Sequence, residues 1–85
     1  MPMEEAKDGK WVAVYYEDEK YIGKVVGEPV NGQVQVRCLE HPLDVSKPQN
    51  LEKEKRVIYY KELFYAQSEP FQVQIGRTWL WNYKL

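Results

Sequence analysis

Apolar and polar residues alternate in short runs along most of the chain, a pattern typical of β-strands. Three such runs, residues 11–16, 21–26 and 34–39, lie in the first half of the sequence. Side chains on a strand alternate between two faces, so Val12 and Val14 share one face of the first predicted strand. Ala13 and Tyr15 share the other face. The alternation therefore predicts three half-buried strands before residue 40.

Turn signals separate these predicted strands. Gly9 precedes the first strand, and the polar residues 17–20 connect it to the second. Asn31-Gly32 is the strongest short signal for a tight hairpin turn, because both residues tolerate a positive φ. Gly23 interrupts the second predicted strand and indicates a bulge or a sharp bend there.

The second half of the chain first loses the alternation and then regains it. Residues 40–55 contain two prolines and a run of mixed charges, and they predict a long surface loop. A fourth strand is predicted at residues 56–60, a single helical turn at residues 61–63 and a further strand at residues 64–67. Residues 71–75 and 78–81 alternate on either side of Gly76-Arg77 and predict a terminal hairpin.

The sequence as a whole predicts one all-β domain. No helical periodicity of useful length and no internal repeat is found, and 85 residues allow a single core. Several short strands with frequent turn signals favour a small barrel, SH3-like or OB-like. We expect an SH3-like barrel of five to six short antiparallel strands over residues 9–85, with room for an extra C-terminal hairpin. Residues 1–8 are expected to form a flexible N-terminal tail.

Charge and cysteine content narrow the classes of function. The formal net charge is −1, so no strong overall field attracts nucleic acid or acidic lipid. Cys38 is the single cysteine, which leaves no disulfide framework and indicates a reducing compartment instead of secretion. No apolar stretch is long enough to suggest a membrane segment or a signal peptide, so no membrane partner is expected.

The residues that catalysis requires are sparse. The chain has one histidine, His41, and no serine–histidine constellation, phosphate-binding glycine loop or metal-ligand spacing. Cys38 and His41 are close in sequence, but a lone cysteine is most often a buried small hydrophobe. The sequence therefore predicts a protein that is not an enzyme and has no cofactor or bound metal.

Aromatic residues make up 14% of the chain, a high share that suits a binding surface. Gly9, Tyr15, Glu17-Asp18 and Tyr21 follow one another in an order that resembles the Tudor family over roughly residues 9–40. The Trp-Val-Ala-Val-Tyr opening is also similar to Tudor-like modules of transposon-derived and zinc-finger animal proteins. This resemblance implies a non-catalytic reader of peptides that carry methylated lysine or arginine, such as histone tails. It also implies a chromatin-associated, nuclear setting, with the cytoplasm as the alternative.

The same resemblance implies an aromatic cage for the methylated cation. Tyr15 would supply the wall from the first strand and Tyr21 the wall from the second. The third-strand position falls at Cys38, which is not aromatic, and the following loop position falls near His41. Tyr59 or Tyr60 could supply a further wall from the fourth strand, and Tyr59 is the candidate we retain.

Two other functions compete with the methyl-mark reader. Small barrels bind single-stranded nucleic acid by base stacking along a basic groove, and Lys20, Lys24 and Arg37 could line such a groove beside the tyrosines. A protein–protein adaptor without recognition of methyl marks is the second alternative. Trp79 and Trp81 alternate with Leu80 and either close the barrel or present a surface for a partner or for assembly. The oligomeric state is not predicted.

Overall fold

Seven strands and two short 3₁₀ turns are found in the described part of the chain. The computed structural model describes residues 1–43 and 47–84. The strands are β1 Trp11–Tyr16, β2 Glu19–Val30, β3 Gln33–Cys38, β4 Arg56–Tyr59, β5 Leu63–Tyr65, β6 Phe71–Ile75 and β7 Thr78–Asn82. The first five form one curled antiparallel sheet, a half-barrel in the order β4-β3-β2-β1-β5, and β6 and β7 form a separate hairpin. The predicted all-β class and the C-terminal hairpin are confirmed.

The inner face of the half-barrel carries the main core. Its members are the inward side chains of successive strands, and nearly all are aliphatic: Val12, Val14, Tyr21, Val25, Val34, Val36, Cys38, Ile58 and Leu63, joined by Ala6. Val12 and Val14 are fully buried, as the alternation of β1 predicts. Burial of these apolar surfaces is the dominant stabilising contribution in a chain this short.

A second, smaller core covers the outer face of the central strands. Trp11, Ala13, Ile22 and Leu39 are buried there. The covering side chains come from the loop after β3, from the residue after β5, and from β7 and the residue after it: Leu43, Leu51, Ala66, Trp81 and Tyr83. The middle of the sheet is therefore apolar on both faces, and β1 begins with four buried residues in succession.

Tight two-residue turns fix the register of the first two hairpins. Asn31 and Gly32 both have positive φ, and Val30 pairs with Gln33, as the Asn-Gly signal predicts. Glu17 and Asp18 also have positive φ, and Tyr16 pairs with Glu19. The connector between β1 and β2 is therefore two residues, not the predicted four, and β2 begins at Glu19.

Gly23 has a different role from the predicted bulge. It pairs regularly with Val12 on one side and with Cys38 on the other. The irregular pairing of β2 lies later, between Val26 and Val30. A Cβ atom on Gly23 would collide with Cγ1 of Val36 and would lie 3.2 Å from Sγ of Cys38. Gly23 is needed because β2 and β3 pack too closely over the core at this point for any side chain.

We expect Gly23→Ala to lower the free energy of unfolding by about 1–3 kcal/mol, because overpacking displaces Val36 from its position in the core. Urea denaturation of the variant measures this loss. Adding Val36→Ala removes the colliding methyl group, so the double variant should lose less stability than the sum of the two single losses. Strictly additive losses would show that the Val36 contact is not the cause.

The N-terminal residues pack against the sheet, in contrast to the flexible tail expected for residues 1–8. Ala6 is fully buried in the inner core, after a 3₁₀ turn at Met3–Glu5. The amide of Gly9 donates to the carbonyl of Val25 at 2.8 Å, and Asp8 accepts a bond from the amide of Gly27 at 2.8 Å. These residues are tied to β2 because their apolar and polar groups both find partners there.

The segment after β3 forms the expected loop, and much of it lies against the outer face. Leu39 and Leu51 form an isolated bridge, and the amide of Leu43 donates to the carbonyl of Lys20 at 2.8 Å. The part of the predicted loop at residues 44–46 lies outside the described residues. Over the described ranges, no helix is long and apolar enough to cross a membrane.

Candidate functional site

The two tyrosines expected to form a cage lie on opposite faces of the sheet. Tyr15 pairs directly with Lys20, and Val14 pairs directly with Tyr21. Directly paired residues point to the same face, and neighbours along a strand point to opposite faces. Tyr21 therefore shares the inner face with Val14, whereas Tyr15 points outward. The structure does not bring these two rings together, and a cage with both as walls is not formed.

Tyr21 is part of the inner core. It is 8% exposed, and its ring stacks on Tyr16 with centroids 4.2 Å apart and planes 10° apart. Its hydroxyl donates to Glu19 at 2.9 Å. Tyr21 accordingly has a structural role, which follows from the register set by the Glu17-Asp18 turn.

The outer side of this tyrosine stack is occupied by the protein's own cation. The Arg56 guanidinium lies 4.1 Å from the centroid of the Tyr16 ring and forms an ion pair with Glu52 at 3.1 Å. Burial raises the pKa of Tyr16 well above its ordinary value, and the nearby Cys38 and Glu52 add to the increase. Tyr21 is therefore buried against Tyr16, and Arg56 covers the Tyr16 ring, so the stack does not present an open cage to a ligand cation.

The other two cage candidates are also separated from one another. Tyr59 is 55% exposed on β4 and pairs with Gln33, which pairs in turn with Val30 at the far end of β2. Tyr15 lies at the opposite end of β2, beside Lys20. His41 is exposed in the loop after β3, where its backbone amide donates to the Gln49 side chain at 2.6 Å. These positions do not converge on one concave site.

An aromatic corner on the outer face replaces the expected cage. We use this name for Tyr15 and Phe64, whose ring centroids are 5.2 Å apart with planes at 86°. Both side chains are exposed, Tyr15 by 45% and Phe64 by 43%. Phe64 reaches Tyr15 because β5 pairs with β1 and sets Phe64 opposite Ala13, whose side chain points to the same face as Tyr15. Two exposed rings at nearly a right angle offer two walls to one ligand group.

The charges around the aromatic corner act on a ligand cation in opposite directions. The Lys20 ammonium already lies 5.7 Å from the centroid of the Tyr15 ring, within the range of a cation–π interaction. Glu17 and Asp18 form the exposed turn that follows β1, two and three residues after Tyr15. The ring faces and the acidic turn attract positive charge, and a ligand cation must displace the Lys20 ammonium from the Tyr15 ring.

Sequence reasoning missed Phe64 as a site residue. It lies in a predicted strand, but no local signal indicates that this strand pairs with β1. Pairing with the neighbouring strand in sequence was equally compatible with the local pattern. The useful signal would have been the sheet order, since β5 lies beside β1 although most of the chain separates them.

The predicted nucleic-acid residues do share one face. Lys24 pairs with both Trp11 and Arg37, and all three point outward, as does Lys20. The Lys24 ammonium lies 5.6 Å from the centroid of the Trp11 ring. Arg37 is partly engaged within the protein, because its Nε donates to the carbonyl of Glu52 at 2.9 Å.

Cys38 is unsuited to nucleophilic chemistry in the folded protein. Its side chain is fully buried in the inner core, and burial raises its pKa to about 12, with a further increase from Glu52. A thiol with so high a pKa forms little thiolate, which is the reactive species. Within residues 1–43 and 47–84, no cluster of three or more metal-ligating side chains is found.

The two C-terminal tryptophans point to the same face of the hairpin but have different environments. Trp81 packs its ring against Trp11, with centroids 5.0 Å apart and planes at 60°, and belongs to the outer core. Trp79 lies two residues nearer the hairpin turn and is 56% exposed. Trp81 thus anchors the hairpin to the barrel, and Trp79 remains available for contact.

No family model, curated protein or solved structure matches this chain.

Proposed function

We propose that this chain is a non-catalytic, Tudor-like interaction module that binds a cationic peptide side chain, a methylated lysine or arginine, at the aromatic corner. The observation that supports this most is the geometry of Tyr15 and Phe64, two exposed rings 5.2 Å apart at 86° beside an acidic turn. Aromatic faces attract cations through the ring quadrupole, and quaternary ammonium groups are recognised in this way.

The expected affinity is modest because only two walls are available. Each wall contributes on the order of 0.5–2 kcal/mol, whereas a millimolar dissociation constant requires about 4 kcal/mol. Contacts to the residues that flank the methylated side chain must supply the remainder. A single isolated methylated amino acid is therefore a poor probe, and a short peptide is a better one.

Removing either wall should weaken peptide binding. We expect Tyr15→Ala and Phe64→Ala each to raise the dissociation constant for a trimethyl-lysine peptide about tenfold, equivalent to about 1.4 kcal/mol. Isothermal titration calorimetry with the methylated and unmethylated forms of one peptide measures this change.

Tyr59→Ala is a matched control for this experiment. Tyr59 is similarly exposed and has a lysine, Lys61, 6.0 Å from its ring centroid, but the aromatic pairs among the described residues do not include it. The Tyr59→Ala variant should have the same dissociation constant for the peptide as the unchanged chain. Equal losses in the Tyr59 and Tyr15 variants would place the site elsewhere.

Single-stranded nucleic acid is the second candidate ligand. It is favoured by the shared face of Lys20 and Lys24 with Tyr15, since bases stack on exposed rings along a basic groove. The acidic turn opposes it. Affinity for nucleic acid should fall steeply as salt concentration rises, whereas peptide binding in the aromatic corner should change little.

A further inference from the structure

One face of the C-terminal hairpin carries exposed apolar side chains. Phe71 is 48% exposed and Ile75 is 53% exposed, and both lie on the face of β6 opposite to Trp79 and Trp81. Residues 71–82 carry a single charge, that of Arg77. Exposed apolar side chains grouped on one face often mark a surface that contacts a partner.

One edge of β6 also has unpaired backbone groups. The amide and carbonyl of Trp81 bond to Gln49, at 2.7 and 2.8 Å, so they point away from β6. Gln72 is paired with Trp81, and such a non-hydrogen-bonded pair directs the backbone groups of both residues outward. By the alternation of the ladder, the backbone groups of Gln74 point outward as well. Within the described chain, β6 pairs only with β7.

We propose that two copies of the chain associate through this edge, with β6 pairing antiparallel to β6 of the second copy about a two-fold axis at Val73. In this register Gln72 lies opposite Gln74 of the second copy, and their outward amides and carbonyls bond to each other. Phe71 lies opposite Ile75 of the second copy, and the two Val73 side chains meet on the axis. The two hairpins then form one four-stranded sheet.

The second copy fits this edge because the strand is complementary to itself. Each apolar side chain in this register meets an apolar side chain, and each glutamine meets a glutamine, so no charge is buried. The edge also lacks the features that proteins use to prevent strand pairing, since residues 71–75 contain no lysine, proline or bulge. A closed, isologous pair satisfies both edges at once.

Amide hydrogen exchange combined with sedimentation velocity tests this pairing on the full chain. Sedimentation should show a monomer at low concentration and a dimer near millimolar concentration. The amides of Gln72 and Gln74 should then exchange more slowly, while the amide of Trp79, on the opposite edge, should not change. A monomer throughout, or a dimer in which Gln72 and Gln74 are unprotected, would overturn the proposal.

Complementary charges provide a second test that separates pairing from folding. Phe71→Lys and Ile75→Glu should each weaken self-association about tenfold or more, since each introduces two unmatched charges per dimer. An equimolar mixture of the two variants should dimerise again, because the new lysine of one copy faces the new glutamate of the other. Val57→Lys, at an exposed apolar residue outside the hairpin, is the matched control and should leave the dimer intact. Failure of the mixture to associate would contradict the register.

Discussion

Tyr21→Ala should lower the free energy of unfolding by about 3 kcal/mol, because a large aromatic side chain is removed from the core. Tyr21 is 8% exposed, stacks on Tyr16 and lies against Val14 in the inner core. Chemical denaturation followed by circular dichroism measures the loss. The variant that still folds should bind the peptide with unchanged affinity, since Tyr21 is on the face opposite to the aromatic corner.

Tyr21→Phe serves as the control for this result. It keeps the stacked ring and loses the hydroxyl, whose hydrogen bond goes to the exposed Glu19, so it should cost about 1 kcal/mol or less. A Tyr21→Ala variant with unchanged stability and no peptide binding would show that Tyr21 belongs to the binding site after all.

Trp81→Ala should also destabilise the chain by about 3 kcal/mol, because it removes the ring that covers Trp11. The Trp11–Trp81 contact joins the hairpin to the barrel, and Leu39 and Leu51 lie in the same outer core. Loss of this anchor should also broaden the resonances of β6 and β7 in NMR spectra. Denaturation followed by tryptophan fluorescence provides the free energy.

Trp79→Ala is a closely matched comparison for Trp81→Ala. The residue type, the strand and the face of the hairpin are the same, but Trp79 is 56% exposed. Its substitution should change the free energy of unfolding by no more than about 0.5 kcal/mol. Equal losses in the two variants would refute the assignment of Trp81 as the anchor.

The sequence was a good guide to elements with local signals. Alternation located β1 and β3, and the Asn31-Gly32 turn located the hairpin between β2 and β3, because both depend on neighbouring residues only. The same holds for the hairpin around Gly76. Gly23 was recognised as special, but its reason, a close approach to Val36 of β3, depends on the pairing of two strands and has no local signature.

The face of Tyr21 could have been derived with one further step. With a two-residue turn at Glu17-Asp18, counting back from the Tyr16–Glu19 pair sets Tyr21 opposite Val14 and therefore in the core. The predicted connector of four residues did not allow this count, because it does not set the pair from which the counting starts. Apolar residues on both faces of β2 made the inner face harder to identify. Ile22 is buried in the outer core, and Tyr21 is buried in the inner core.

The partner of Tyr15 could not be derived from the sequence in this way. Phe64 reaches Tyr15 only because β5 returns to pair with β1, and such long-range pairing is not encoded in a local pattern. The packing of Ala6 into the inner core could not be derived either, because it depends on a long-range contact. The short polar segment around Ala6 has no local pattern that indicates packing against the sheet.

The most direct test of the aromatic corner is an NMR titration of the isotopically labelled chain with a trimethyl-lysine peptide. We expect the largest shift changes at Tyr15, Phe64 and Lys20 and in the Glu17-Asp18 turn, with the unmethylated peptide producing smaller changes. Shift changes centred on Tyr59 or on the hairpin, or no changes near Tyr15 and Phe64 at saturating peptide, would contradict this expectation.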